Sequence, residues 1–346
     1  MKRCALDWLA CPACGEGDLV LTETVSTERA SFHGHWRSDE QVAGRGTRSL
    51  AEVMEGKLTC LGCKAEYAIT GGVPRMLPPG VDPGPGTGHR WTEFSQAVPE
   101  FEANFLDIAA PLAAGDFTGK LVLDAGAGFG RHAFFAARYG AEVIALDSSS
   151  EAVASAFQNL HSNVRAHVIQ GDISRPPLRR NIFDLVYSFG VLHHVDDSRA
   201  TFGVLTELVR SGGRLSVWAY GPRQGLTRII TGALRGATSQ MSPDQLHSVS
   251  RGISSGLRLF SHTPYRWLGP VPVLGGVLSH LPVHDHHRWP FDVVVADVYD
   301  RLRIPVTGYF PGEEIERWYA EGGFADIQVT RRVRNTESFR GTGVRR

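Results

Sequence analysis

Two pairs of cysteines near the start of the sequence have the spacing of a metal site. Cys11 and Cys14 form one Cys-x-x-Cys pair, and Cys60 and Cys63 form the other. Each spacing places two thiolates on one tight turn, and two such turns supply the four sulfur ligands that a structural zinc ion prefers. Two redox-active or structural thiol pairs are the alternative. We expect one closed structural Zn²⁺ site.

The surroundings of the cysteine pairs are consistent with a small metal-ordered unit. Gly15 and Gly62 suit turns that point backbone N–H groups at sulfur, whereas Cys4 lies outside the pattern and is expected to be an ordinary thiol. The pairs are farther apart than in the usual zinc ribbon, so residues 22–56 are expected to form an insert. Zinc orders such units because its binding is worth about 10–16 kcal/mol in zinc-finger peptides.

A glycine-rich stretch is the second motif that could do chemistry. An apolar run from residue 121 to residue 123 ends at a carboxylate, and glycines then occupy every second position before a helical pattern begins. A strand, a glycine turn and a helix start bring backbone N–H groups close to a ligand at the strand's carboxyl end. We expect ligand contacts from Asp124, Gly126, Ala127, Gly128, Gly130 and Arg131.

Two ligands are compatible with this turn, a dinucleotide and S-adenosyl-L-methionine. A dinucleotide turn places its third glycine three residues after the second, whereas Gly130 follows Gly128 by two. Acids at the next strand ends favour S-adenosyl-L-methionine, since Asp147 is placed to accept both ribose hydroxyls and Asp172 to accept the adenine amino group. Further contacts to this cofactor, whose product is S-adenosyl-L-homocysteine, are expected from Ser148, Gly171, Ile173, Ser188, Phe189 and Trp91.

Three residues at the ends of later strands are candidates for the chemical step. His193 and His194 follow the fourth predicted strand, and histidine titrates near neutrality, so one of them, with His194 preferred, can act as a general base. The alternative is that the pair packs beneath the cofactor. Tyr220 ends the fifth strand and is expected to line the acceptor pocket. The His and Asp run at 284–287 is expected to be solvated or to cap a helix, because adjacent side chains diverge.

Alternating apolar runs and helical patterns predict the βαβ units that position these residues. Strands are predicted near 121–125, 142–147, 166–170, 183–189 and 213–220, and helices near 130–139, 150–161 and 199–210. A helix at 313–321 and a strand at 324–333 continue the pattern. The expected domains are a zinc ribbon (1–78), a linker and cofactor cap (79–118), a cofactor-binding core (119–221), a lid or substrate insertion (222–305) and the last core elements (306–346).

Composition limits the function classes that fit. The sequence of 346 residues contains 36 Lys and Arg and 36 Asp and Glu. This balance argues against a strongly positive overall potential that would attract nucleic acid. No apolar run has membrane-spanning length, and Asp7 interrupts the short apolar start, so we expect no membrane span and no secretion signal. A cytoplasmic monomer or homodimer is the expectation. The basic C-terminal stretch contains Arg331, Arg332, Arg334, Arg340, Arg345 and Arg346.

Two parts of the sequence resemble known families. Residues 7–14 and 60–77 resemble the opening and close of the Trm112-like zinc-ribbon family, whose members activate methyltransferases or are attached to them. Residues 119–220 resemble the class I S-adenosylmethionine-dependent methyltransferases of the UbiE-like type, through segments 121–131, 143–148, 171–173, 183–195 and 208–217. Together they imply an α/β fold with a Rossmann-like seven-stranded sheet, a small N-terminal zinc ribbon and an inserted helical lid.

The expected function is methyl transfer from S-adenosyl-L-methionine to a small molecule, a biosynthetic or secondary metabolite. Oxygen is the preferred acceptor atom over nitrogen or carbon. Three alternatives stay open. They are a tRNA or rRNA methyltransferase that uses the basic tail, a non-catalytic protein that binds the cofactor only to fold, and a non-methylating enzyme on the same fold, such as a cyclase.

Overall fold

The N-terminal unit is a four-stranded antiparallel sheet that carries the cysteine pairs. The computed structural model describes residues 1–27, 52–81, 100–222, 225–238, 240–278, 287, 289–303, 308–332 and 338–346, so Trp91 and most of the expected insert lie outside the described residues. Each strand pairs with the next along the chain. The strands are β1 (Leu19–Thr27), β2 (Glu52–Cys60), β3 (Glu66–Thr70) and β4 (Val73–Pro74).

A seven-stranded sheet forms the centre of the protein, which confirms the Rossmann-like fold expected from the sequence. Its strands are β5 (Leu121–Ala125), β6 (Glu142–Asp147), β7 (Ala166–Gln170), β8 (Phe183–Phe189), β9 (Val209–Tyr220), β10 (Phe324–Arg331) and β11 (Ser338–Arg345). The order is β10-β11-β9-β8-β5-β6-β7, with β11 antiparallel to both neighbours and the pairs among β5 to β9 parallel. β6 and β7 lie on one side of β5, and β8 and β9 lie on the other, so the strand order reverses between β5 and β8. Ligands bind at the carboxyl ends of strands at such a point.

Helices cover both faces of this sheet, which is why its parallel strands read as continuous apolar runs. The helices are α1 (Glu100–Ala109), α2 (Arg131–Arg138), α3 (Ser150–Leu160), α4 (Ser198–Leu208), α5 (Gly225–Thr238), α6 (Pro243–Leu257), α7 (Thr263–Leu268), α8 (Pro272–Leu278), α9 (Phe291–Arg303) and α10 (Gly312–Glu321). α1 to α3 pack on one face, and α4 and α10 pack on the other. The helix that the sequence predicts at 199–210 ends at Leu208, because Val209 already belongs to β9 and pairs with Phe183 of β8.

Helices α5 to α9 form an insertion between β9 and α10, where the sequence predicts a helical lid. Its apolar interior includes Leu246, Trp289 and Val294. The Trp289 ring lies edge-on to Phe101 of α1, with ring centres 5.9 Å apart. The lid therefore packs against the helix that precedes β5. Within the described parts of the chain, no helix is long and apolar enough to cross a membrane.

The N-terminal unit is joined to the central sheet by backbone pairing and by shared apolar packing. Leu9 pairs with Leu178, and the N–H of Met76 donates to the Gln170 carbonyl at 2.8 Å. The Trp8 ring lies edge-on to a core histidine, His167, at 4.9 Å. Trp8, Leu9 and Leu178 belong to one hydrophobic cluster, so the two units share part of their core.

Candidate functional site

The two cysteine pairs converge on one point. The Sγ atoms of Cys11, Cys14, Cys60 and Cys63 all lie within 4.8 Å of one another. Cys11 and Cys63 are 3.5 Å apart, and Cys14 and Cys60 are 3.6 Å apart. Four sulfurs at about 2.3 Å from one zinc ion are about 3.8 Å from each other in a tetrahedron. The donor set and its spacing therefore fit a structural zinc ion.

The turns that carry these sulfurs have matching backbone geometry. The N–H of Gly15 donates to the Cys11 carbonyl at 2.7 Å, and the N–H of Lys64 donates to the Cys60 carbonyl at 3.0 Å. Gly15 has φ +83° and Lys64 has φ +63°, both in the left-handed region. Lys64 is thus the counterpart of Gly15 in the second turn.

Hydrogen bonds favour the metal-binding form of one cysteine. The Tyr67 hydroxyl lies 3.1 Å from the Cys11 Sγ. Burial acts to raise the pKa of the Cys11 thiol, but hydrogen bonds from Tyr67 and from the backbone at Cys14 and Ala13 outweigh it and lower the pKa to about 7. The thiolate is the form that binds metal.

Cys4 belongs to a separate group of side chains between the N-terminal unit and the sheet. Potential ligand atoms of Cys4, Glu142 and His167 lie within 4.8 Å of one another. The His167 Nε2 and a Glu142 carboxylate oxygen are 2.6 Å apart, so these two residues already form a hydrogen-bonded pair. The sequence spacing gave no signal for this group, because its members come from distant parts of the chain.

The glycine turn follows β5 at the point where the strand order reverses. Gly126 has φ +87°, and a β-carbon there would meet the Val191 side chain at 2.4 Å. Gly130 has φ +83°, and a β-carbon there would meet Leu160 at 2.9 Å. Only glycine fits both positions, so the turn brings its backbone close to the strand ends and starts α2 at Arg131.

Asp147, at the end of β6, holds the glycine turn directly. Its Oδ2 accepts the N–H of Gly128 at 2.8 Å, and its Oδ1 accepts the N–H of Ser149 at 2.9 Å. Burial raises the pKa of Asp147, and these backbone donors oppose the shift. Each carboxylate oxygen has a second lone pair, so the side chain can accept two more hydrogen bonds.

The expected residues after β7 lie beside Asp147. The N–H of Gly171 donates to the Asp147 carbonyl at 2.9 Å, and Asp172 accepts the N–H of Ser174 at 2.8 Å. The Ser148 carbonyl accepts a hydrogen bond from the Gln170 side chain at 2.8 Å. The structure therefore groups these positions at one sheet edge, and Ile173 is buried beside them.

The expected residues of β8 lie on the other side of the turn. The Ser188 hydroxyl donates to the Ala125 carbonyl at 2.9 Å and is fully buried, so it ties β8 to the end of β5. The Phe189 ring stacks on Tyr187 with centres 4.7 Å apart. Arg131 lies 5.5 Å from the centre of the Phe101 ring. Ser188 is thus a strand-bridging residue, and Phe189 contributes to an aromatic wall.

Asp124 is a buried carboxylate with unmet hydrogen-bonding capacity. It is 1% exposed, and neither carboxylate oxygen has a hydrogen-bond partner among the described residues. Burial raises its pKa to about 7, and Asp147 adds to the shift. Tyr187 and the backbone at Ala133 act to lower this pKa, but neither forms a hydrogen bond of normal geometry with the Asp124 carboxylate. An orphaned buried carboxylate calls for a donor, preferably a cation.

Three further buried polar side chains of the central domain were missed from the sequence. The His132 Nε2, the Tyr187 hydroxyl and the Trp218 Nε1 are buried without a hydrogen-bond partner in the parts of the chain that the structure describes. Burial lowers the pKa of His132 well below its ordinary value, so this imidazole is neutral. The only sequence signal was position: His132 follows Arg131 at the helix start, and Trp218 is two residues before Tyr220.

The structure separates the roles open to the two expected histidines. His193 is fully buried, and its Nδ1 accepts the backbone N–H of Tyr220 at 3.3 Å. The His193 ring also packs on the Tyr220 ring, with centres 3.9 Å apart. His194 is half-buried, 4.2 Å from His193 between ring centres. The three residues are therefore adjacent, and His194 is the more accessible histidine.

Residues 123–217 match the family model described as a methyltransferase domain. Over 104 residues the chain is 34% identical to the ubiquinone biosynthesis O-methyltransferase of Cronobacter sakazakii, a match that covers 30% of this chain and 43% of that protein. Over 141 residues it is 33% identical to the mitochondrial ubiquinone biosynthesis O-methyltransferase of Schizosaccharomyces pombe, with 40% and 51% covered. A phosphoethanolamine N-methyltransferase of Caenorhabditis elegans is 30% identical over 115 residues, with 32% and 26% covered.

Among solved structures, human N-acetylserotonin methyltransferase is similar at a TM-score of 0.43 and 14% identity, covering 77% of this chain and 60% of that one. A TM-score this low carries no conclusion about function. The chain spans about half or less of the length of the curated relatives that it matches. The expected methyltransferase core is nevertheless confirmed at residues 123–217. Residues 123–217 of this chain therefore form a methyltransferase domain.

Proposed function

We propose that this chain is an enzyme that transfers the methyl group of S-adenosyl-L-methionine to an oxygen atom of a small-molecule acceptor. The observation that carries the proposal is the buried, unpartnered carboxylate of Asp124 beside the glycine turn. The cationic amine of this cofactor would supply the missing donor and offset the cost of the buried charge. The pyrophosphate of a dinucleotide would instead add negative charge next to the same carboxylate.

Within this proposal, acids at three strand ends bind three different parts of the cofactor. Asp124 binds the amine, Asp147 accepts the ribose hydroxyls and Asp172 accepts the adenine amino group. When bound, the cofactor supplies a methyl group that is already activated, so the protein aligns the acceptor and takes up its proton. The remaining positions proposed to line the cofactor are Gly126, Ala127, Gly128, Gly130, Arg131, Ser148, Gly171, Ile173, Ser188, Phe189 and Trp91.

His194 is the proposed general base, and His193 is proposed to position it. Because the His193 Nδ1 accepts a backbone N–H, that nitrogen carries no proton and the neutral ring carries its proton on Nε2. Proton uptake at Nδ1 would break this hydrogen bond. His194 is half-buried and therefore more exposed than His193, which leaves it more accessible to an acceptor. Tyr220 packs on His193 and is proposed to line the acceptor pocket.

A small acceptor is favoured over RNA by the contacts of the basic tail. Arg332 forms an ion pair with Asp107 at 2.7 Å, and Arg340 lies 3.5 Å from the same carboxylate. Arg345 donates to the Thr206 carbonyl at 2.8 Å. These arginines are engaged inside the protein rather than presented to phosphate. Oxygen is favoured over nitrogen because two of the three curated relatives are named as O-methyltransferases.

We also propose that the four clustered cysteines hold one structural zinc ion. None of the five cysteines, all of which the structure describes, forms a disulfide, which fits a reducing, cytoplasmic compartment. The domain boundaries expected from the sequence, and a monomeric or homodimeric state, stay part of the proposal.

Labelling tests the proposed reaction. The protein is incubated with methyl-labelled S-adenosyl-L-methionine and a metabolite extract, and labelled small molecules are identified by mass spectrometry. We expect label in methyl ethers or esters, and none with the Asp147→Ala variant. Label on nitrogen or carbon would overturn the choice of oxygen. Label recovered only in RNA, or cofactor binding without transfer, would overturn the proposed function.

A further inference from the structure

The outer side of the lid exposes large apolar residues that a free surface rarely presents together. Each of them is between 62% and 79% exposed. Large apolar patches on a soluble domain mark interaction sites, whereas isolated exposed residues need no explanation. The five residues, which we name the lid patch, are Leu259, Phe260, Trp267, Val273 and Val277.

The local backbone brings this patch together. Residues 258–262 form a π-helical turn that joins α6 to α7, so the helical path runs on from Pro243 to Leu268. α8 follows α7 after a short connection and contacts it, and the backbone of Gly275 lies close to the carbonyl of Gly269 in that connection. On α8, Val273 and Val277 are one helical turn apart and share a face. The five residues of the patch therefore lie on three consecutive helical elements, the π-helical turn, α7 and α8.

The same helices bury polar residues while they expose apolar ones. Ser254, Ser261 and His262 are each 2% exposed or less, whereas Phe260 is 72% and Trp267 is 74% exposed. A helix that only covers a core places its apolar stripe inward and its polar residues outward. Because Leu246, Ile253 and Leu257 of α6 already pack inward, the exposed Phe260 and Trp267 are apolar surface beyond what the lid core needs, which indicates an apolar partner on the outer side.

The charge of this segment indicates the partner's chemistry. No Asp or Glu occurs between Asp244 and Asp285, whereas the stretch contains three arginines. Arg251 pairs with Asp292 at 3.5 Å and Arg258 donates to the Trp289 carbonyl at 2.9 Å. Arg266, on α7, is exposed next to Trp267. An anionic surface with an apolar layer beneath it matches aromatic and aliphatic side chains flanked by arginine.

We propose that the lid patch docks this chain on the surface of an anionic lipid bilayer. Phe260 and Trp267 enter the boundary between headgroups and acyl chains, and Arg266 contacts lipid phosphate. A second copy of the chain is the other apolar partner that the patch could take, and the test below separates it from a bilayer. Docking does not depend on the proposed methyl transfer.

Vesicle flotation of the zinc-loaded chain tests the proposal. The vesicles are phosphatidylcholine alone or phosphatidylcholine mixed with phosphatidylglycerol. We expect flotation with the mixed vesicles, and at least about ten-fold weaker partitioning when Phe260→Glu and Trp267→Glu are combined. Arg266→Glu should weaken partitioning into mixed vesicles by at least about five-fold. The control is Val164→Glu, at a 48% exposed valine outside the lid, and it should float like wild type.

Three results would overturn the proposal. The first is that the wild type does not float with the mixed vesicles, and the second is that the double variant floats as well as the Val164→Glu control. The third is a dimer in light scattering that the double substitution dissociates, while no form of the protein floats. The last result would assign the patch to a second copy. Circular dichroism of each variant shows that it is folded, which the exposure of all substituted residues leads us to expect.

Discussion

The Oδ2 atom of Asp147 accepts the backbone N–H of Gly128 at 2.8 Å, so the acid that ends β6 fixes the middle of the glycine turn after β5. The contact links two neighbouring parallel strands at their carboxyl ends. Position 147 therefore has two tasks: it shapes the turn, and its remaining lone pairs face the proposed ribose. A substitution there should affect ligand binding more than a substitution at an acid that only contacts solvent.

Asp147→Ala is expected to weaken binding of S-adenosyl-L-methionine by at least about 100-fold. Each charge-assisted hydrogen bond is worth about 1.5–3 kcal/mol, and the variant loses those to the ribose as well as the support of the turn. Isothermal titration calorimetry measures the change. Glu316→Ala, at an exposed acid on α10, is the control and should bind like wild type. An unchanged affinity in Asp147→Ala would remove the ribose assignment.

The two histidines are expected to respond differently to alanine substitution. His193→Ala should lower the free energy of unfolding by about 2–4 kcal/mol, because a buried ring and the acceptor for the Tyr220 N–H are both lost. His194→Ala should change stability by less than about 1 kcal/mol, since its side chain is half-buried, but it should lower kcat and leave cofactor affinity intact. Urea denaturation and turnover on the identified acceptor measure both effects. A fully active His194→Ala variant would assign the pair to packing alone.

Metal content is expected to be one zinc ion per chain. Cys63→Ser, at an exposed position of the cluster, should lose the ion, whereas Cys4→Ser should keep it because Cys4 lies outside the four-sulfur site. Loss of zinc should also lower the Tm of the central domain, since Trp8 and Leu9 pack into the shared cluster. Elemental analysis and calorimetry check these outcomes. Iron in place of zinc, or an unaltered metal content in Cys63→Ser, would contradict the assignment.

Asp124→Asn is expected to stabilise the protein at alkaline pH while it abolishes cofactor binding. Burial raises the pKa of Asp124 from 3.8 to about 7, so folding favours its protonated form. The wild-type carboxylate therefore lowers the free energy of unfolding as the pH rises from about 4 to about 7, and the full cost is present above that range. The Asp124→Asn side chain carries no charge, so the variant does not lose this stability as the pH rises.

The stability advantage of Asp124→Asn should be small at about pH 4 and reach roughly 2–4 kcal/mol at about pH 8. Urea denaturation at the two pH values measures it. In the wild type, cofactor affinity should rise over the same interval, because a cationic amine binds the carboxylate form. Equal stability of both proteins at about pH 8 would show that Asp124 carries no buried charge.

Most of the central sheet was predictable from the sequence, because strands buried on both faces read as continuous apolar runs. The predicted ranges 121–125 and 142–147 match β5 and β6 as observed. The start of β9 was placed too late, since Val209–Gly213 contains polar residues and glycines and is held by pairing with β8 rather than by an apolar pattern.

The site was predictable only where chemistry follows strand ends. Asp124, Asp147 and Asp172 could be placed together because parallel strands end at one edge, but nothing local separates the buried His193 from the half-buried His194. His132 was missed because a buried atom without a partner is a property of the tertiary structure.

The proposed donor is tested most directly by calorimetric titration of the zinc-loaded protein with S-adenosyl-L-methionine. We predict one molecule bound per chain, competition by S-adenosyl-L-homocysteine, and loss of binding in both Asp124→Asn and Asp147→Ala. Absence of binding to the folded wild type, or unchanged binding in both variants, would contradict the proposal.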